Sequence, residues 1–254
     1  FLTPALPLRA RDSEPGREGL DAGAIVRRAE SMLESGRTFL QAKLILPKGR
    51  LRGARELRFR SHRDRPRKRS FVRIFAPPAL AGTSFLLLHP NLWAFDPGTE
   101  QTSRTAAREL RKSWMESDFT LDDLLIGTVR ADSYDHRLLG VEPQFGEGEP
   151  VRAYVVESVP QRPGPALWPE IVTWIETERG IARRQEFRDA DGESLRVIEY
   201  GDVRAVEGRS VPHLWIASVP DDSSRESRIE IEAIRFDAEF DDSVFTTENL
   251  RPAD

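Results

Sequence analysis

Phe39-Leu40-Gln41-Ala42-Lys43-Leu44-Ile45-Leu46 is the stretch on which the fold class turns. Its period is two. Leu40, Ala42, Leu44 and Leu46 point one way and Gln41 and Lys43 the other, which describes a strand with one dry and one wet face. Pro47-Lys48-Gly49 reads as a turn, and Leu51, Gly53, Leu57 and Phe59 then alternate with Arg52, Glu56, Arg58 and Arg60. Further short strands are expected over residues 70–76, 83–89 and 91–95, and in the second half over 135–140, 151–159, 171–176, 181–187, 194–200, 211–219 and 228–236. Short polar turns separate them, among them Gly146-Glu147-Gly148-Glu149, Asp189-Ala190-Asp191-Gly192 and Glu207-Gly208-Arg209. Many short strands at this spacing argue for an all-β meander closing towards a barrel.

Two segments break the rhythm. Asp21 suits a helix N-cap, Ile25, Ala29, Met32 and Leu33 form an apolar stripe at helical spacing, and Gly36 suits the stop. The stripe would pack on the sheet or plug an open barrel. Residues 99–125 are polar at first and carry Ala106, Ala107, Leu110 and Trp114 at helical spacing; they read as an insertion with one or two helical turns over the barrel mouth. Residues 1–20, with Pro4, Pro7, Pro15, Gly16 and Gly19 among charges, read as a flexible leader before one domain spanning 21–250.

Composition narrows the function classes. A hydrophobic fraction of 39% with 31% charged residues suits a globular protein, and no run approaches the roughly eighteen apolar residues that a membrane-spanning helix needs. A net charge of -4 does not favour nucleic acid, and the absence of cysteine removes disulfides, thiol nucleophiles and thiolate metal sites. The first residue is Phe1 rather than methionine, which cleavage of a secretory signal would explain, as would a trimmed expression product.

Motifs for chemistry are missing. His62, His89, His136 and His213 show no metal-ligand spacing. Asp118, Asp122 and Asp123 lack the glycine and late glutamate of a calcium loop; Asp122 is expected to start a helical turn and Asp118 to cap a loop through nearby backbone N–H groups. There is no Gly-x-Ser-x-Gly elbow and no phosphate-cradling loop. No catalytic residue, metal or cofactor is expected. A basic stretch, which includes Arg52, Arg58, Arg60, Arg65, Arg67, Lys68 and Arg69, admits a solvated hairpin tip, a contact for anionic membrane headgroups or an acidic partner, or nucleic acid. Against the last, Phe59 and Phe71 are expected to point inward, away from the charges.

An ordered set of motifs carries a resemblance. Pro77-Pro78-Ala79-Leu80-Ala81-Gly82-Thr83-Ser84-Phe85-Leu86 comes first, then Asn91-Leu92-Trp93-Ala94-Phe95-Asp96-Pro97, then Ser113-Trp114-Met115-Glu116-Ser117-Asp118-Phe119-Thr120-Leu121-Asp122-Asp123-Leu124-Leu125. Leu138 to Glu142, Asp189 to Gly192 and Phe245 to Leu250 continue it, over roughly residues 21 to 250. The set resembles the periplasmic outer-membrane lipoprotein-sorting proteins, the LolA/LolB-like family. It departs at Glu116, where the family has glycine, and at Phe95 and Asp96, where it has tyrosine and leucine.

The resemblance implies a mainly β fold, a half-open antiparallel β-barrel wrapped around a short helical plug. It also implies a non-catalytic periplasmic carrier for a lipid or lipoprotein acyl chain, with an inner-membrane export pump of the resistance-nodulation-division superfamily as a partner. Stress-response sensors and a biosynthetic enzyme are known on similar scaffolds, so a lipid sensor and an enzyme stay open. Read from the residues alone, the aromatics of the first half fill a core or line a cavity. The resemblance favours a cavity, with Phe59, Phe75, Phe85, Trp93 and Phe95 lining a slot and Trp114, Met115 and Phe119 at its mouth. A dozen methylenes cost roughly 10 kcal/mol in water, so such a cargo needs a deep apolar slot.

Overall fold

The computed structural model describes residues 19–46, 55–125, 131–144, 150–162, 164, 168–220 and 222–252. All but the last two residues of the expected leader lie outside these, as do Pro47-Lys48-Gly49, Leu51, Arg52, Gly53 and the turn at 146–149.

A twelve-residue helix, α1 (Ala22–Leu33), opens the described chain. Asp21 caps it by accepting the Gly23 N–H at 2.9 Å. The helix stops at Leu33, before the expected Gly36, because Glu34 already has extended backbone. Ala22 and Val26 are buried, and Ile25, Ala29 and Leu33 pack against the same core, so the apolar stripe is seated on the sheet.

Thirteen strands follow: β1 (Arg37–Ile45), β2 (Glu56–Asp64), β3 (Arg69–Ala76), β4 (Ser84–Leu88), β5 (Asn91–Asp96), β6 (Gln101–Thr105), β7 (Tyr134–Gln144), β8 (Val151–Pro160), β9 (Glu170–Glu176), β10 (Ala182–Arg188), β11 (Ser194–Val206), β12 (Arg209–Val219) and β13 (Asp222–Phe236). They form one sheet in the order β6-β5-β4-β3-β2-β1-β13-β12-β11-β10-β9-β8-β7. Every neighbouring pair is antiparallel. All but one join strands that are successive in the chain; β1 with β13 is the exception and links the two halves. The free edges are therefore β6 and β7, themselves successive. The meander stays open there, and the result is a mainly β, half-open antiparallel barrel with a short helix inside. β6 lies where only helical turns were expected: Gln101-Thr102-Ser103-Arg104-Thr105 has no apolar alternation to reveal it.

Register fixes which side chains share a face. Leu40, Ala42 and Leu44 pair with Ser61, Phe59 and Leu57, and of these Ser61 and Phe59 pair with Val72 and Ile74 of β3. Val72 pairs with Phe85 and Phe85 with Ala94. This is the inner face. The outer face carries Phe39, His62, Phe71, Leu86 and Trp93 in the same manner. It is not wet. Phe71, Leu86 and Phe95 form a second apolar cluster with Phe245 and Leu250 of the C-terminal segment. Arg37 donates to the Phe240 carbonyl at 2.6 Å and Ser84 to the Leu250 carbonyl at 2.6 Å, which holds that segment on the sheet. The expectation that Phe71 points inward is thus corrected.

Candidate ligand-binding site

Residues 106–133 connect the two free edges, and their central part turns into the barrel. Trp114 and Phe119 are fully buried in the main core. Trp114 meets Phe59 edge-on at 5.1 Å between ring centroids and Phe85 at 6.3 Å. The segment is built as a tight hairpin. Trp114 N–H donates to Phe119 O at 2.8 Å and Ser117 N–H to Trp114 O at 2.9 Å. Between them Met115 and Glu116 both take left-handed backbone, with φ of 51° and 59°. Two successive residues at positive φ make a type I′ turn, whose twist suits a hairpin. A short helix, α2 (Leu121–Leu125), completes the segment.

Two buried carboxylates hold it in place. Asp118 accepts from the Ser227 hydroxyl at 2.7 Å and pairs with Arg225 at 3.0 Å, both on β13. Both of these partners are side chains far away in sequence, 107 and 109 residues from Asp118. Asp123 accepts the Thr120 N–H at 2.7 Å and forms a buried ion pair with Arg196 of β11. The Arg196 guanidinium also lies over the Phe187 ring at 4.2 Å, with its charge matched on one side and the ring face on the other. Arg63 of β2 donates to the Leu124 carbonyl at 2.7 Å. Thr120 apart, these partners lie far from Asp118 and Asp123 in sequence, and local spacing carries no signal of them.

Three concavities adjoin this filling. Beneath α1 a small one of about 80 Å³ is lined by Val26, Leu33, Leu40, Ile175 and Trp215, with the Ser61 hydroxyl. A charged one of about 250 Å³ lies at the β2–β3 and β4–β5 turns, among Glu30, Glu34, Arg63, Arg65, Lys68 and Arg69. At the opposite end, by the β3–β4 and β5–β6 turns, a groove of about 700 Å³ runs between the inner face of β4 and β5 and the Met115–Glu116 turn. Leu80, Phe85, Ala94, Phe95 and Met115 border it, with Asp96 and Glu116. Of the three, only the groove falls within the ~300–1,000 Å³ typical of small-molecule sites.

The expected slot residues divide between the two faces. Phe59, Phe85, Trp114, Met115 and Phe119 come together in or against the main core. Phe59, Trp114 and Phe119 are core filling; Phe85 and Met115 also border the groove. Phe75, Trp93 and Phe95 do not join them. Phe75 falls at a bulge, since Arg58 pairs with Ala76 and Phe59 with Ile74, and it lies outside beneath the Arg60 guanidinium at 4.7 Å. Trp93 and Phe95 pack in the outer cluster, although Phe95 reaches the groove's end. Arg73, between Phe71 and Phe75, was the available cue that this parity faces outward. The departures at Phe95, Asp96 and Glu116 all fall on the groove.

Elsewhere the chemistry is sparse. His136 Nδ1 lies 2.8 Å from Ser158 Oγ, but Ser158 is fully buried and its histidine's other nitrogen is held by the Ala131 carbonyl. Among the described residues no three His, Asp or Glu side chains gather as a metal site, and no helix is long and apolar enough to cross a membrane. The basic stretch is largely matched by acids: Arg58 with Glu232, Arg65 with Glu30, Arg67 and Arg69 with Asp64 and Asp242. Arg60 donates to Gln41.

Fold and segment together define a half-open antiparallel barrel whose interior is filled from the connection between its free edges. A family model described as "Uncharacterized protein" matches residues 66–252, and the chain belongs to that family. No curated protein matches the sequence. Among solved structures, a domain assigned as an outer membrane lipoprotein-sorting protein from Vibrio parahaemolyticus is 16% identical, with a TM-score of 0.75 over 90% of this chain and 97% of that one. A DUF1329 family protein from Desulfovibrio piger ATCC 29098 is 18% identical, with a TM-score of 0.77 over 91% and 98%. A LolA superfamily protein from Nitrosomonas europaea is 18% identical, with a TM-score of 0.70 over 91% and 100%. At these identities the likeness is one of fold.

Proposed function

We propose that the protein is a non-catalytic periplasmic carrier that shelters the hydrocarbon chain of a lipid or lipoprotein in the groove between β4, β5 and the Met115–Glu116 turn. One observation supports this above the others: the barrel interior is filled by the 113–125 segment, yet a volume of about 700 Å³ remains beside it, with Leu80, Phe85, Ala94 and Met115 along its wall. Met115 suits such a wall because a flexible thioether repacks around chains of different shape. The lipoprotein-sorting name of the fold relatives agrees with this reading. An inner-membrane export pump as partner belongs to the same proposal by resemblance. Contact with anionic headgroups would fall chiefly to exposed Lys68, since the neighbouring arginines already face carboxylates.

Ala94→Trp tests the reading by filling the groove from its floor. Titration with the uncharged probe N-phenylnaphthylamine should give a fluorescence rise with the wild type and little or none with the variant. An equal rise in both would place the hydrocarbon elsewhere.

A further inference from the structure

The wall of the groove changes character between β5 and β6. Register carries an inner row from Val72 through Phe85 and Ala94 to Ser103 of β6. The row is apolar until it reaches β6, where it turns polar. Gln101, which shares the Ser103 face of β6, pairs with Asp96 of β5. Asp96, Thr99, Gln101 and Ser103 border the groove and are exposed, so their hydrogen-bonding groups are open to a ligand. Asp96 ends β5, and its carboxylate is fixed by accepting the Gly98 N–H at 2.8 Å. Glu116, the other carboxylate at the border, already has an interaction within the chain. Among the described bordering residues there is no lysine, arginine or histidine to match an anionic head group.

Neighbouring strands lie about 4.8 Å apart, so this polar strip runs beside the apolar floor within the span of one amphiphile. The strip supplies both halves of a hydrogen-bonding set. The Asp96 carboxylate accepts, the Gln101 amide donates through its nitrogen and accepts through its oxygen, and the Thr99 and Ser103 hydroxyls do either. An uncharged head that donates and accepts at adjacent atoms answers to that set. We infer that the groove takes an amphiphile with a neutral polyol head group, a glycerol or a sugar, its hydroxyls on Asp96, Gln101 and Ser103 and its hydrocarbon on Leu80, Phe85 and Ala94. The inference rests on the reading that the groove holds a hydrocarbon chain, and adds the chemical class of the head group. One net hydrogen bond changes an affinity by about fivefold.

The experiment is displacement of N-phenylnaphthylamine by 1-O-dodecylglycerol, dodecyl glucoside and dodecanol, each below its micelle concentration, on the wild type and on the Gln101→Met/Ser103→Ala double variant. The three share one hydrocarbon chain and differ in the head. Methionine keeps the length of glutamine without its amide, and alanine removes only the hydroxyl. With the wild type, at least one polyol should displace the probe about fivefold more tightly than dodecanol; which of the two does so tells a glycerol head from a sugar. In the double variant that ratio should fall towards one, with dodecanol unchanged. Dodecanol binding as tightly as both polyols, or a polyol advantage that survives in the variant, overturns the head-group inference while leaving the hydrocarbon reading intact. Failure of all three, with no uptake of the probe by the wild type, overturns both.

Discussion

Glu116 stands at φ 59° directly after Met115 at φ 51°. Left-handed backbone costs a residue with a Cβ roughly 1–2 kcal/mol, and glycine escapes that cost while losing more chain entropy on folding. Glu116→Gly should therefore raise the stability by about 0.5–1 kcal/mol net in urea denaturation; a loss would show that the side chain contributes more than the strain. The Asp123–Arg196 pair tests the opposite sign. Both side chains are about 95% or more buried, and Arg196→Met would leave Asp123 an unmatched buried charge. That variant should lose about 3–5 kcal/mol, and replacing both residues by apolar ones should lose less than the single change. At this scale little was legible in the sequence. The turn residues stood out as a departure, but Ser227 and Arg196 lie 109 and 73 residues from the carboxylates they serve. Spacing cannot reveal a partner brought in by the curl of the sheet.

Among the elements, α1 and β2 each carry a partly buried titratable group, and the two pull in opposite directions. Burial raises the Glu30 pKa from 4.5 to about 7, against the lowering effect of the Ala131 N–H and Arg65. Between these values the folded chain keeps a proton that the unfolded chain has released, so the contribution of Glu30 to stability falls as pH rises from 4.5 to 7. Burial lowers the His62 pKa from 6.5 to about 4, with Arg60 and Arg73 adding to it. Here the unfolded chain takes up the proton first, so the contribution of His62 falls as pH drops from 6.5 to 4. Glu30→Gln should gain stability relative to the wild type as pH rises through its window. His62→Gln should gain as pH falls through the other, each by about 1–3 kcal/mol. Chemical denaturation at pH 4.5, 5.5 and 7 reads both; parallel curves for variant and wild type would refute the shifts.

Elements were also the most legible level, and their limits have identifiable causes. The alternation at Leu40, Ala42 and Leu44 gave β1 and its face directly, because only one side of that strand is apolar. On β3 and β5 it failed, since the outer face is apolar too, covered by Phe245 and Leu250. Phe75 and Trp93 then look as inward as Val72 and Leu92. β6 was missed for the converse reason: it is short, polar and at an edge.

For the molecule as a whole, the decisive feature is that β6 and β7 are successive in the chain yet unpaired at opposite edges of the sheet. The connection between them fills much of the interior that the open sheet leaves, and the unfilled remainder is the groove at the β5–β6 end. The ordered motifs at 77–86, 91–97 and 113–125 made the half-open barrel legible in the sequence. The division of the interior into filled core and open groove was not, because it depends on how deeply Trp114 and Phe119 insert.

The most direct measurement is a crystal structure with 12-bromododecan-1-ol, an uncharged amphiphile whose bromine marks the end of the hydrocarbon chain. The account predicts an anomalous bromine peak in the groove, between Leu80, Phe85, Ala94 and Met115. A bromine peak beneath α1 or against the outer cluster, or none with saturating alcohol, would contradict it.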